Sequence, residues 1–225
     1  MPVNHTLQDA KSVKRELADY GRRIMERNLV VGPGGNISAR CGDTIYVKPS
    51  GFAFDELEPD DYIGVDLRTG EITEGCHRPT SEILMHLKCY LVRDDVRAVV
   101  HAHPPLATGI VNGGGRIEAI WPEFVAFIDK LPVIGYVVPG GKELAEEVGR
   151  EIRENNAVMM VNHGCLTVGR NLKEAFLRAA LIEETARCIL ASYVVGRPRF
   201  LSQEEIEGIK RLEVEDYRKA LLAGS

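Results

Sequence analysis

The sequence predicts an α/β protein in which layers of helix surround one largely antiparallel sheet. Three observations predict it. Amphipathic stretches with apolar residues three and four apart alternate with short apolar or alternating runs, the two periods of helix and strand. The early runs pair through short glycine-bearing turns, as antiparallel hairpins do. Finally, 225 residues that are 44% hydrophobic and 27% charged suffice for one sizeable core, so residues 1–225 read as a single domain.

Val13, Leu17, Tyr20 and Ile24 recur at helical spacing among Lys, Arg and Glu, which predicts a helix from Gln8 to about Arg27 with its apolar stripe on the core. From Gly32 to Gly51 the texture changes. Gly-Pro-Gly-Gly, Asn36 to Arg40, Gly42-Asp43 and Thr44 to Lys48 read as a loop and a short hairpin. Tyr62 to Asp66 and Glu71 to Thr73 form a second strand pair across Leu67-Arg68-Thr69-Gly70. Thr80-Ser81 then offers hydroxyls to the exposed amides of a helix reaching Leu91, with Glu82 in its first turn. An apolar strand, Val99 to His103, is stopped by Pro104-Pro105 and followed by a helix from Leu106. Beyond the Gly113-Gly114-Gly115 loop come a helix from Lys142 to about Asn155 and strands at Ala157 to Val161 and Leu166 to Gly169. A long helix from Leu172 to Val195 and a charged helix from Gln203 to Leu222 complete the chain.

Composition excludes several function classes. The net charge of −5, from 28 basic and 33 acidic residues, supplies no basic field for a nucleic-acid backbone or an anionic membrane, so any bound anion must be held locally. Cys41, Cys76, Cys89, Cys165 and Cys188 are odd in number and widely spaced, without a C-x-x-C. This argues against a disulfide framework or a thiolate metal site and fits a reducing cytoplasm. Met1 to Glu16 has no apolar core for a signal peptide, and no apolar run reaches the ~18 residues needed to span a bilayer.

The chemistry centres on His101 and His103. One residue apart on a strand, they point to the same side and can share a metal. Catalytic zinc sites commonly use three protein ligands, and His163, in an Asn-His-Gly at another strand end, is the natural third. Gly164 would let the backbone turn sharply behind it. His86 is the rival, four residues from Glu82 on one helical face, but it lies within an apolar pattern where a satisfied core histidine is commoner. His5 and His77 have no patterned partner and read as surface residues. Gly34-Gly35-Asn36, Ser50-Gly51 and Thr80-Ser81 each offer small side chains, amides or hydroxyls suited to a phosphate, although none is a nucleotide P-loop.

Taken together, Gly-Gly-Asn-Ile-Ser-Ala-Arg, Lys-Pro-Ser-Gly, Arg-Pro-Thr-Ser-Glu, His-Ala-His-Pro and Asn-His-Gly follow the order and rough spacing of the class II aldolase/adducin family. The chain resembles that family from about Leu7 to Glu205. The resemblance implies a three-layer α/β/α sandwich around a mainly antiparallel sheet, assembled as a homotetramer with active sites between subunits. It implies Zn²⁺ held by His101, His103 and His163, with Glu82 as acid/base. The phosphate of a small sugar substrate would fall on Gly35, Asn36, Ser50, Gly51, Thr80 and Ser81. The implied reaction is reversible cleavage of a ketose 1-phosphate to dihydroxyacetone phosphate and an aldehyde through a metal-stabilised enediolate. Glu82 favours this branch, because the family's pentulose-phosphate epimerases carry aspartate there. A sugar-phosphate epimerase, dehydratase or decarboxylase of the same fold, or a non-catalytic adducin-like scaffold, are the other readings. A tyrosine that the aldolase branch supplies from a neighbouring subunit has no counterpart at Trp121-Pro122-Glu123, and Tyr217 in the C-terminal helix is the candidate to act across an interface in its place.

Overall fold

A computed structural model of the chain describes residues 9–213, 217 and 220–222. Helix α1 (Ala10–Glu26) opens on Asp9, whose carboxylate accepts from the Ser12 N–H at 2.7 Å, and buries Val13, Leu17 and Ile24 as the spacing requires. Strands β1 (Asn36–Cys41), β2 (Thr44–Val47), β3 (Ile63–Asp66) and β4 (Ile72–Glu74) form an antiparallel meander. Helix α2 (Ile83–Val92) leads to β5 (Ala98–Ala102), which pairs with β1 rather than with β4. Helices α3 (Pro105–Asn112) and α4 (Pro122–Phe127), strand β6 (Val133–Ile134) and helix α5 (Lys142–Ile152) follow. Strands β7 (Ala157–Met160) and β8 (Gly164–Gly169) and helices α6 (Leu172–Val195) and α7 (Gln203–Lys210) complete the fold.

The eight strands lie in the order β4-β3-β2-β1-β5-β8-β7-β6. Every pairing is antiparallel except β6 with β7, which α5 joins as a helical crossover, so the sheet is mixed. Side chains alternate between its faces. Ala98, Val100 and Ala102 of β5 join the core under α1, α3 and α6, whereas Val99 joins the core under α2 and α5. Three layers result, and His101 falls on the α2 side.

Several boundaries differ from expectation. Glu82 stands at the N-cap of α2, with φ −101° and ψ 20°, rather than in its first turn. Strand β8 starts at Gly164 rather than Leu166, because the pairing with β5 extends to Ala102 opposite Cys165. The helix expected from Gln203 to Leu222 is interrupted at Arg211-Leu212, and part of its remainder lies outside the described residues. Helix α4 and strand β6 were not expected. The Pro122 that opens α4 is a start signal, but two residues of β6 carry no period to read. No helix among the described residues is long and apolar enough to cross a membrane.

Candidate active site

At the end of β5, His101 sits opposite Asn36 of β1 on one side and Leu166 of β8 on the other. His103 follows the strand, its N–H donating to the Leu29 carbonyl at 2.8 Å. Their Nε2 atoms are 3.0 Å apart. The Nδ1 of His101 lies 2.8 Å from the Cys165 carbonyl, which can only accept, so Nδ1 carries the hydrogen and Nε2 presents its lone pair. The third imidazole arrives from the β7–β8 turn. His163 Nε2 is 3.1 Å from Glu82 Oε1, and His101 Nε2 is 3.1 Å from Glu82 Oε2. His101, His103 and His163 offer ligand atoms that all lie within 4.8 Å of one another.

These donors suit a divalent cation. The Nε2 lone pair of His101 faces both a second imidazole nitrogen and a carboxylate oxygen, electron-rich atoms that repel unless positive charge lies between them. Three imidazoles with one carboxylate are a zinc-type set, and Nδ1 bonded to a carbonyl is the outer support such ligands use. Burial lowers the His103 imidazole to about 4, helped by His101, His163 and Lys48 and opposed by Glu82. The ring is therefore neutral near pH 7, as a ligand must be. Burial alone would raise the Glu82 carboxyl. The imidazoles of His101 and His163 beside it and the Asn36 amide outweigh burial and hold it below the usual carboxylate range.

The turn carrying His163 works differently from expectation. The left-handed residue is Asn162, with φ 54°, not Gly164. The Asn162 N–H donates to Asn112 Oδ1 of α3 at 2.6 Å, which ties the turn down. Gly164 is required by close approach instead, since a Cβ there would lie 2.2 Å from the Ala102 carbonyl oxygen. Gly35 has both constraints, with φ 66° and a virtual Cβ 2.9 Å from the His101 carbonyl oxygen.

Two of the three phosphate-type segments are brought together. Ser50 N–H donates to the Arg78 carbonyl at 2.9 Å and Thr80 N–H to the Lys48 carbonyl at 3.0 Å. Ser50, Gly51 and Ser81 are exposed, whereas the Thr80 hydroxyl is buried and accepts from the Glu82 N–H at 3.3 Å. Asn36, from the third segment, is buried against Glu82, its Nδ2 donating to Oε2 at 2.8 Å. His86 is fully buried between Ser38 and Asn36, a satisfied core histidine rather than a member of the three-imidazole group. His77 packs its ring edge on Phe52, and His5 lies outside the described residues. The sequence reading missed Lys48. Its amine is buried, donates to the Pro33 carbonyl at 2.9 Å and is lowered to about 8 by burial. A lysine in an otherwise apolar strand was the available signal.

The family model described as Class II Aldolase and Adducin N-terminal domain matches residues 15–190. The chain belongs to the class II aldolase/adducin family. It is 33% identical over 184 residues to an L-fuculose phosphate aldolase of Methanocaldococcus jannaschii, covering 82% of this chain and 99% of that one. Similarity to a 5-deoxy-D-ribulose 1-phosphate aldolase of Bacillus thuringiensis is 32% over 201 residues, or 88% and 93% of the two chains. Among solved structures, an L-fuculose 1-phosphate aldolase superposes with a TM-score of 0.84 at 31% identity, over 95% of this chain and 99% of that one. As a class II aldolase family member the protein is an enzyme of the lyase class.

Proposed function

We propose that this class II aldolase family protein is a zinc-dependent aldolase that reversibly cleaves a ketose 1-phosphate to dihydroxyacetone phosphate and an aldehyde. The carrying observation is the convergence of His101, His103 and His163 on one point beside the two oxygens of Glu82. The three imidazoles would hold the ion through Nε2. A divalent ion bound there supplies Lewis-acid polarisation of a substrate carbonyl.

The chain's own residues supply the rest. In the synthetic direction the Glu82 carboxylate takes a proton from the carbon beside the carbonyl of dihydroxyacetone phosphate. The C–H electron pair stays on that carbon, delocalised into the carbonyl, and then forms the bond to the aldehyde carbon, while the aldehyde C=O π pair moves to its oxygen, which takes a proton from water. In cleavage that hydroxyl gives its proton to water as the carbon–carbon bond breaks, and Glu82 returns the other proton to the carbon. Glu82 is suited to the base role because its surroundings favour the ionised carboxylate. Ser50, Gly51, Thr80 and Ser81 hold the phosphate, with Gly35 and Asn36 closing the inner end and the Lys48 ammonium adding positive charge.

In the same reading the protein is one cytoplasmic domain assembled as a homotetramer with active sites between subunits. Five widely spaced cysteines without a C-x-x-C support the compartment, and the exposed Tyr136, Val138, Tyr193, Val194 and Val195 support the assembly. The deciding experiment is a retro-aldol screen of sugar phosphates with metal analysis of the purified protein. Dihydroxyacetone phosphate plus an aldehyde, with about one zinc per chain, is expected. CO₂ or an epimer without dihydroxyacetone phosphate would replace aldol cleavage by another reaction of the fold. Glu82→Gln is expected to keep zinc and to lose proton exchange with dihydroxyacetone phosphate. Undiminished exchange removes Glu82 from the base role.

A further inference from the structure

Behind Glu82 runs a row of buried polar side chains of which only Asn36 also borders the proposed phosphate site. Strand β1 contributes Asn36 and Ser38, two residues apart and on one face. Glu82, His86 and Tyr90 come from the cap and body of α2 at four-residue spacing, hence one helical face. The two faces interleave. Asn36 Nδ2 lies 2.8 Å from Glu82 Oε2, and Asn36 Oδ1 is hydrogen-bonded to His86 Nε2. Ser38 Oγ lies 2.7 Å from His86 Nδ1 and 2.7 Å from the Tyr90 hydroxyl. Ser38 and His86 are 0% exposed, Tyr90 1% and Asn36 4%, so no member of the row turns to bulk water.

Hydrogen-bond chemistry allows this row only one polarity. The ionised Oε2 accepts, so Asn36 must present its NH₂ to Glu82 and its carbonyl oxygen to His86. That carbonyl accepts, so His86 Nε2 carries a hydrogen. A neutral imidazole then leaves Nδ1 bare to accept from Ser38, whose oxygen accepts in turn from Tyr90. All four bonds point toward Glu82. The opposite face of the carboxylate is treated differently. Among the described residues Oε1 has no hydrogen-bond partner, only the 3.1 Å approach of His163 Nε2.

We infer that His86 is a positioning residue of the active site. By donating from Nε2 it locks the Asn36 amide in one orientation, which pins Oε2 of Glu82 between Asn36 and His101 and leaves Oε1, which faces His163, as the oxygen open to the substrate. Without that donor Asn36 keeps only one of the two partners that fix its amide, and its buried carbonyl oxygen is left without a hydrogen bond, so the amide and the Glu82 oxygen it holds are free to shift. The inference rests on the aldolase reading for its kinetic consequence but not for its structural one.

Two measurements test it. In the ¹⁵N spectrum of histidine-labelled wild-type protein, His86 is expected as a neutral ring protonated at Nε2 and bare at Nδ1. A ring protonated at Nδ1, or at both nitrogens, overturns the row whatever the enzyme's substrate. In zinc-loaded protein, His86→Leu is expected to lower kcat for proton exchange with dihydroxyacetone phosphate by about 100-fold, the scale of a small misplacement at a reacting centre. KM and zinc content should be unchanged. His86→Gln, which retains an N–H donor at the far end of the side chain, is expected to recover part of that loss. Equal loss in both variants, or release of zinc from either, reduces His86 to a packing role and overturns the inference. If wild-type protein shows no exchange at all, the aldolase reading fails, while the ring assignment still stands or falls on the spectrum.

Discussion

At the level of single residues, close approach decides what the site tolerates. Strand β8 passes so near β5 that a side chain at Gly164 would meet the Ala102 carbonyl oxygen at 2.2 Å and the His103 ring carbon Cδ2 at 2.9 Å. Gly164→Ala is therefore expected to cost about 2 kcal/mol or more, read as a lower urea midpoint, and to weaken zinc binding by displacing His103. An unchanged midpoint would mean that the two strands part easily. His86 makes a second prediction. Burial and repulsion from His101 hold its imidazole at about 3, against an ordinary 6.5, with Glu82 pulling the other way and Tyr90 facing it through Ser38. Between those values the unfolded chain binds a proton that the native protein refuses, so this contribution is complete above about 6.5 and is lost as pH falls toward 3. In His86→Leu the slope of metal-free stability over that window should become shallower, by up to about 1.4 kcal/mol per pH unit. An unaltered slope would show that His86 does not titrate on unfolding.

Among elements, the loops that carry the imidazoles are held by neighbours distant in sequence. Helix α3 begins two residues after His103, and its first amides are capped by Glu183 of α6. The Glu183 carboxylate accepts from Leu106 N–H at 3.1 Å and Ala107 N–H at 3.0 Å. Glu183→Ala strands both amides in a buried place and is expected to destabilise by about 2 kcal/mol. Chemical denaturation measures this, and a change below about 0.5 kcal/mol would mean that water takes over the cap. Most elements could be anticipated from pattern. The period of α1 and the length of α6 are plain in the chain, and two-residue spacing brings His101 and His103 together at a strand end, although the strand itself stops at Ala102. What escaped was β6, too short to carry a period, and the break after α7, where nothing local announces the turn at Arg211.

For the whole molecule, a metal that binds only the folded arrangement links the two sheet halves to one another. His101 comes from β5, His103 from just beyond its end, His163 from the β7–β8 turn and Glu82 from the start of α2, so the complete set does not exist in the unfolded chain. Zinc at 100 times its dissociation constant is expected to add about 2.7 kcal/mol of stability. A chelator should lower Tm and restored zinc should recover it. A Tm indifferent to both would argue against a resident ion. Light scattering at micromolar protein checks the assembly, and a monomer there would leave the exposed Tyr193, Val194 and Val195 in need of another partner.

Local order along the chain was enough to set the alternation of helix and strand, the pairing of His101 and His103 at the end of β5, and the motifs that carry the family membership. These properties depend on spacing within one element, and spacing is written in the sequence. Folding alone decided that Asn36 meets Glu82 and His86, 46 and 50 residues further on, that the Lys48 amine is buried on the Pro33 carbonyl, and that Gly164 serves a close approach rather than a turn. Those outcomes depend on which strands become neighbours and in what register, and that is settled by packing across the sheet.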